Sequence, residues 1–121
     1  MAENTAYTLT RYDGDVNPNE VAGKIVFPAT AIVAADYIEL DIGFAPRYIH
    51  FLNITDRVGG EFFAGMAADS CLKTIADGTR TLEVTGGNHG ITLTARGFRV
   101  SQNATLALIL ASKTIHFRAV Q

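Results

Sequence analysis

Alternation of apolar and polar residues along short segments is the feature of this sequence that most restricts its fold. In residues 37–42 (YIELDI) isoleucine and leucine alternate with glutamate and aspartate, and residues 91–95 (ITLTA) and 115–119 (IHFRA) repeat the pattern. Successive side chains of a β-strand point to opposite faces. This period of two therefore predicts strands that each bury one face.

Other segments are also predicted as strands. Residues 47–55 are nearly all apolar or β-branched, which favours a strand covered on both faces. Residues 104–110 place leucines at every second position, and residues 7–10 look extended. Between residues 61 and 76 alanines favour helix, but the phenylalanines and a glycine favour strands over residues 61–66 and 72–75.

Turn-forming pairs separate these segments at the short spacing typical of sandwiches and barrels: Asp13-Gly14, Gly59-Gly60, Asp77-Gly78 and Gly86-Gly87. A chain of 121 residues is the size of one domain. With about eight strands and almost no helix, we predict an all-β fold: a single-domain antiparallel β-sandwich, with jelly-roll connectivity expected. Residues 1–36 would form an extended N-terminal arm and the first strands of this domain, and residues 37–121 its core.

Composition restricts the partners. Charged residues make up 18% of the chain, against about 25% in an average soluble domain, which indicates that partner subunits cover part of the surface. The alternative is that an all-β domain rich in threonine and alanine needs fewer charges. A net charge of −2 provides no basic surface for nucleic acid. The longest apolar run, residues 104–111, is too short to span a membrane, and we expect neither nucleic acid nor membrane as partner.

Metal sites and nucleophiles are not predicted. The three histidines, His50, His89 and His116, share no ligand spacing with the single Cys71, whose apolar neighbours indicate a buried side chain. His50 and His116 lie on alternating segments and could meet across one sheet face.

Paired carboxylates give no catalytic signature either. Glu39 and Asp41 share a strand face and are expected to be solvated, and Asp13-Gly14-Asp15 lacks the glutamate that closes a calcium loop. We therefore expect no cofactor, no metal and no enzymatic activity. Asn53-Ile54-Thr55 matches the glycosylation tripeptide, but no secretory signal accompanies it, so synthesis in a reducing cytoplasm is expected.

Several motifs resemble a group of small virion proteins of tailed bacteriophages. They are Gly43-Phe44-x-Pro46-Arg47-Tyr48-Ile49, Asn53-x-Thr55-Asp56-Arg57, Glu61-Phe62-Phe63-x-Gly65-Met66, Lys73-Thr74-Ile75-Ala76-x-Gly78-Thr79-Arg80-Thr81-Leu82, Gly90-Ile91-Thr92-Leu93-x-Ala95-Arg96-Gly97-Phe98 and Ala111-Ser112-Lys113. The resemblance covers about residues 37–121. It implies a capsid decoration (cement) protein, made in the bacterial host cytoplasm and located on the capsid surface of the virion. Its implied partners are the major capsid protein and further copies of itself, as a homodimer or homotrimer. The alternative is a carbohydrate- or receptor-binding β-sandwich module of a tail or fibre.

The low charge content and the resemblance both indicate an interface with other subunits, and the sequence offers candidate residues for it. Phe62, Phe63 and Met66 show no polar alternation and are predicted to contribute to the core or to a subunit interface. Arg47 and Arg57, which flank the central predicted strand, complete the predicted interface.

Overall fold

The computed structural model describes residues 3–12, 20–83, 90–103 and 106–121, and these form strands and turns without a helix. In chain order the strands are β1 (Thr8–Arg11), β2 (Glu20–Val26), β3 (Tyr37–Asp41), β4 (Tyr48–Asn53), β5 (Val58–Phe63), β6 (Cys71–Thr74), β7 (Arg80–Glu83), β8 (Ile91–Thr94), β9 (Gly97–Ser101) and β10 (Thr114–Val120). The prediction of an all-β fold is confirmed.

The strands form two sheets of unequal size. The larger has seven strands in the order β1-β2-β10-β4-β5-β6-β7, and the smaller has three in the order β3-β9-β8. Neighbouring strands pair antiparallel throughout both sheets. A jelly roll consists of eight strands in two Greek keys. The observed order, with β4 to β7 as a simple meander, confirms the antiparallel sandwich but not the jelly-roll connectivity.

A cluster of phenylalanine rings joins the two sheets. Phe51 and Phe117 from the larger sheet and Phe98 from the smaller lie with ring centroids 5.9–6.4 Å apart, within the range of favourable aromatic contacts. Gly23 makes room for this cluster, since a Cβ there would lie 2.6 Å from a ring carbon of Phe117.

Two isolated bridges lie at the two edges of the smaller sheet. Glu3 pairs with Tyr37 at the outer edge of β3, and Ser70 pairs with Ile91 at the start of β8. The chain then continues from the N-terminal segment into β1, which pairs with β2 along its whole length. Residues 8–11 of the predicted arm therefore belong to the larger sheet of the same molecule.

The prediction that residues 47–55 are covered on both faces is wrong. β4 spans Tyr48–Asn53 and alternates: Ile49 and Phe51 are buried, whereas His50 is exposed. The segment reads as a continuous apolar run because Tyr48 and Leu52, on the outward side, are only partly buried. These two side chains cover that side of the strand themselves, and His50 between them stays exposed.

Gly59-Gly60 is not a turn, and the strand predicted over residues 61–66 begins and ends earlier. Both glycines lie inside β5, which ends at Phe63, and the chain reverses at Gly65, whose φ is +99°. Gly60 faces the core, where a Cβ would lie 2.5 Å from the Cys71 sulfur and 2.6 Å from a methyl of Leu108. Here glycine provides packing space, not a chain reversal.

The strand predicted over residues 104–110 is also wrong for the part that the structure describes. Residues 106–110 form turns, and Leu106, Leu108 and Ile109 are all buried. Leu108 packs against Gly60 on the inner side of the larger sheet. Residues 106–110, called the plug below, pack against the β4–β5 hairpin, where the Ala107 carbonyl also accepts a hydrogen bond from Asn53. The leucines of the plug therefore fill the core without belonging to a strand.

Candidate protein-binding surface

The side of the seven-stranded sheet that points away from the three-stranded sheet, here called the outer face, is open to solvent. Along β10, Ile115 and Phe117 are buried, whereas His116 and Arg118 are exposed. This alternation assigns even-numbered residues of β10 to the outer face. Residues paired with them across the sheet share that face.

Cross-strand register arranges the outer face in rows. The middle row contains Ala22, Arg118, His50, Glu61, Leu72 and Leu82. The Phe63 row, on one side of it, contains Glu20, Val120, Tyr48 and Phe63. The Gly59 row, on the other side, contains Thr10, Lys24, His116, Leu52, Gly59, Thr74 and Arg80.

An aromatic pair forms the most prominent apolar feature of this face. The Phe63 side chain is 47% exposed, and its ring lies 5.0 Å from that of Tyr48. The Tyr48 hydroxyl donates a 2.9 Å hydrogen bond to Glu61. Partial burial and then this hydrogen bond raise the pKa of Tyr48. The ring contact and the hydrogen bond together fix the position of the pair, which lowers the entropy cost of using it in an interface.

Charged groups of both signs lie on the same face. Arg118 donates to both carboxylate oxygens of Glu20, at 3.0 and 3.3 Å, and this hydrogen bonding raises the pKa of Arg118. Lys24 lies in the opposite row, on the same strand as Glu20. The outer face therefore carries both acidic and basic side chains, each in a defined row.

His50 and His116 lie on one sheet face, an arrangement that the alternation allowed. Together with Leu52, Phe117 and Arg118 they line a shallow recess of about 180 Å³. Among the residues that the structure describes, no group of three or more His, Cys, Asp or Glu side chains could hold a metal ion. His89, Asp13 and Asp15 lie outside the described ranges.

The predicted interface residues do not form one cluster. Phe62 is buried in the core, Phe63 lies on the outer face, and Met66 is partly buried in the turn after β5, where its sulfur accepts a 3.2 Å hydrogen bond from the Phe63 amide. Arg47 is exposed just before β4, near Phe63, whereas Arg57 is exposed in the turn at the other end of the β4–β5 hairpin.

The glycosylation tripeptide has a structural role. Asn53 is fully buried, and its amide donates to Asp56 at 3.0 Å and to the Ala107 carbonyl at 3.2 Å. Lys113 pairs with the same Asp56 at 3.2 Å. This network fixes the β4–β5 turn to the plug and leaves the Asn53 nitrogen inaccessible.

Glu39 and Asp41 are engaged in exposed ion pairs. Glu39 pairs with its cross-strand neighbour Arg99 at 2.6 Å, and Asp41 pairs with Arg96 at 3.3 Å. These contacts agree with the solvated role expected of both carboxylates.

Sequence reasoning missed most of the outer face. The sequence does not indicate that Lys24, Leu72 and Leu82 share one surface, and its Gly59-Gly60 pair favours a turn. Alternation identifies which residues share a face of one strand, but only the pairing register shows which residues of different strands lie side by side.

Comparisons with protein-family models, curated proteins and solved structures found no match for this chain. In the described residues, we find no helix with the length and apolar character needed to cross a membrane. The described residues thus define an antiparallel β-sandwich with one broad sheet face exposed to solvent, and this outer face is the candidate binding surface.

Proposed function

We propose that this protein is a non-enzymatic structural component of a bacteriophage virion. In this proposal it decorates the capsid surface and stabilises it by bridging subunits of the major capsid protein. The resemblance over residues 37–121 suggests the class of virion protein, and the structure adds a surface suited to binding other subunits.

The observation that carries the proposal is the outer face itself. It is a broad sheet surface with exposed Phe63 and Leu82, a fixed aromatic pair and few charges. Exposed apolar area of this kind marks protein-binding surfaces, and aromatic anchors supply much of the binding energy. A flat sheet with paired charges is less suited to a small ligand, which needs a concave site.

The sandwich also fits the mechanical requirement. A decoration protein must hold neighbouring capsomers together while the shell is under internal pressure from packed DNA. Each copy needs only modest affinity, because many simultaneous contacts multiply the overall strength of binding. A rigid two-sheet body with loops at both ends can contact two neighbours without deforming.

Binding to undecorated shells tests the proposal. Purified protein is mixed with capsids that lack their decoration protein, the shells are pelleted, and bound protein is measured against added protein. We expect saturable pelleting and a higher temperature of shell disruption, because bridging opposes separation of capsomers. A parallel column carrying host-surface glycans tests the fibre alternative. Retention on that column without binding to shells would contradict the proposal.

A further inference from the structure

The outer face contains raised and recessed positions at equal distances from the middle row. Phe63 and Gly59 lie on β5, two residues on either side of Glu61, and both belong to this face. Phe63 and its neighbour Tyr48 project from one row. The other row holds Gly59, which has no side chain, beside the recess lined by His50, Leu52 and His116.

The charges repeat this arrangement on the other side of the sheet. Glu20 and Lys24 lie on β2, two residues on either side of Ala22, which belongs to the same middle row as Glu61. Glu20 shares its row with the aromatic pair, and Lys24 shares its row with the recess. The middle row thus separates Glu20 and the raised aromatic pair on one side from Lys24 and the recess on the other.

A twofold axis along the middle row would exchange the two flanking rows. If a second copy is laid on the outer face with this axis, Phe63 of one copy faces Gly59 of the other, and Tyr48 faces the recess. The same rotation places Glu20 of one copy opposite Lys24 of the other. Leu72 and Leu82, in the middle row, meet their own counterparts. A surface that complements itself in this way is what a twofold interface requires.

The area of the face is also sufficient. Seven strands at a spacing of about 4.8 Å span about 34 Å, and strands of four to seven residues give a mean length of about 18 Å. The product, about 600 Å², lies at the lower end of the roughly 600–1,000 Å² per partner that a standard-size interface buries. Twisted sheets of similar shape pack face to face at about 10 Å, with their strands within about 30° of alignment.

We propose that two copies of this chain form a twofold-symmetric dimer through their outer faces, with the axis along the row from Ala22 to Leu82. Each aromatic pair fills the recess side of the partner, and two Glu20–Lys24 ion pairs set the register. Glu61 and Arg118, which lie near their own counterparts, are each already bonded within their own chain, to Tyr48 and Glu20. The dimer does not depend on the capsid assignment. If that assignment also holds, both outer faces are buried between the two copies, and the loops at the ends of the two sandwich bodies contact the capsid, which makes the bridging unit bivalent.

Sedimentation equilibrium of the purified full-length chain provides the first test. The measurement covers protein concentrations from about 1 to about 100 μM, since interfaces of this size span affinities from micromolar to picomolar. We expect a species of twice the 13.0 kDa chain mass. The substitution Phe63→Ser should weaken dimerisation at least about tenfold, because it removes an aromatic anchor. Val33→Ser, at an exposed apolar residue in the segment between β2 and β3, is the matched control and should leave the dimer unchanged.

Charge reversal tests the axis. Glu20→Lys and Lys24→Glu should each weaken self-association at least about tenfold, since each opposes like charges across the interface. An equimolar mixture of the two variants should form a heterodimer as tight as the wild-type dimer, because residues 20 and 24 of one copy then both face the opposite charge in the other. Loss of the Glu20–Arg118 pair inside one chain cannot produce this rescue. Far-UV circular dichroism of each variant checks that it is folded, and if a charge variant is not, Phe63→Ser decides.

Three outcomes would overturn the proposal. The first is a wild-type chain that stays monomeric through the whole concentration range. The second is an oligomer, of any size, that Phe63→Ser leaves intact. The third is a mixture of folded charge variants that associates no better than either variant alone.

Discussion

At the scale of single residues, the surroundings of a side chain decide its chemistry more than its type does. Cys71 is the clearest case, because its thiol is buried beside Gly60 and Leu108. Burial disfavours the thiolate and raises the pKa of Cys71 to about 12. The sequence predicted a buried, unreactive cysteine from its apolar neighbours, and the structure supplies the physical cause.

We therefore expect Cys71 to resist thiol reagents in the folded protein. At pH 8 a pKa of about 12 leaves about one thiol in ten thousand ionised, and the thiolate is the reactive form. A chromogenic disulfide reagent should release less than a tenth of one equivalent over an hour in buffer. In denaturing guanidinium it should release one full equivalent, since burial no longer applies. Rapid complete reaction of the folded chain would contradict the buried position.

At the scale of one element, β5 shows how two adjacent glycines have different roles. Gly60 faces inward, where a Cβ would meet the Cys71 sulfur at 2.5 Å and Leu108 at 2.6 Å. Gly59 faces outward, where a Cβ would lie 3.3 Å from Leu52 and 3.4 Å from His50, both at the ends of flexible side chains. A strand with side chains on alternate faces separates these two environments completely.

Alanine substitutions at these positions should differ in their effect on stability. We expect Gly60→Ala to lower the free energy of unfolding by about 1–3 kcal/mol, because overpacking forces Leu108 or the strand to move. Gly59→Ala is the matched control and should change it by less than about 1 kcal/mol, since small shifts of flexible side chains relieve the contact. Urea denaturation, at a low protein concentration so that self-association does not contribute, measures both.

Combining Gly60→Ala with Leu108→Ala provides a second check. The smaller side chain leaves room for the new methyl, so the double variant should be more stable than the sum of the two single changes predicts. Equal losses for Gly59→Ala and Gly60→Ala, or strictly additive effects with Leu108→Ala, would mean that the contact with Leu108 does not limit packing.

At the scale of the whole molecule, a few hydrogen bonds connect segments outside the strands to the smaller sheet. Gln102 follows β9 and is only 2% exposed. Its amide donates to the Val33 carbonyl at 3.0 Å, and its oxygen accepts a 2.6 Å hydrogen bond from Asn4. The Asn4 backbone also donates to Tyr37 at 2.7 Å. These bonds fix the N-terminal segment and the segment between β2 and β3 to the smaller sheet.

Removing the hydrogen bonds of Gln102 should destabilise the whole domain. We expect Gln102→Ala to lower the free energy of unfolding by about 2–3 kcal/mol, because it leaves buried polar groups without partners. Asn4→Ala should have a smaller effect, and the double variant should lose less than the sum, since the two side chains share one hydrogen bond. The measurement is a double-mutant cycle by urea denaturation. Strictly additive effects would show that Asn4 and Gln102 stabilise the fold independently.

The sequence by itself determined the fold class and much of the core. A period of two is a local property, because it follows from the direction of side chains along one strand. The residues of each segment were therefore enough to identify β3, β8 and β10, but they left open whether His50 and His116 meet on one face. Low charge likewise indicated a surface open to partners, which remains a prediction.

Only the tertiary structure decided how these strands meet. The apolar residues 106–110 could equally form a strand or a plug, and their contacts with Gly60 and Asn53, distant in sequence, select the plug. Gly59-Gly60 could equally form a turn or give packing space, and Leu108, distant in sequence, settles the choice. The rows of the outer face depend on register between strands far apart in the chain, such as β2, β10 and β4. Such long-range pairing is a result of global packing, and no local pattern encodes it.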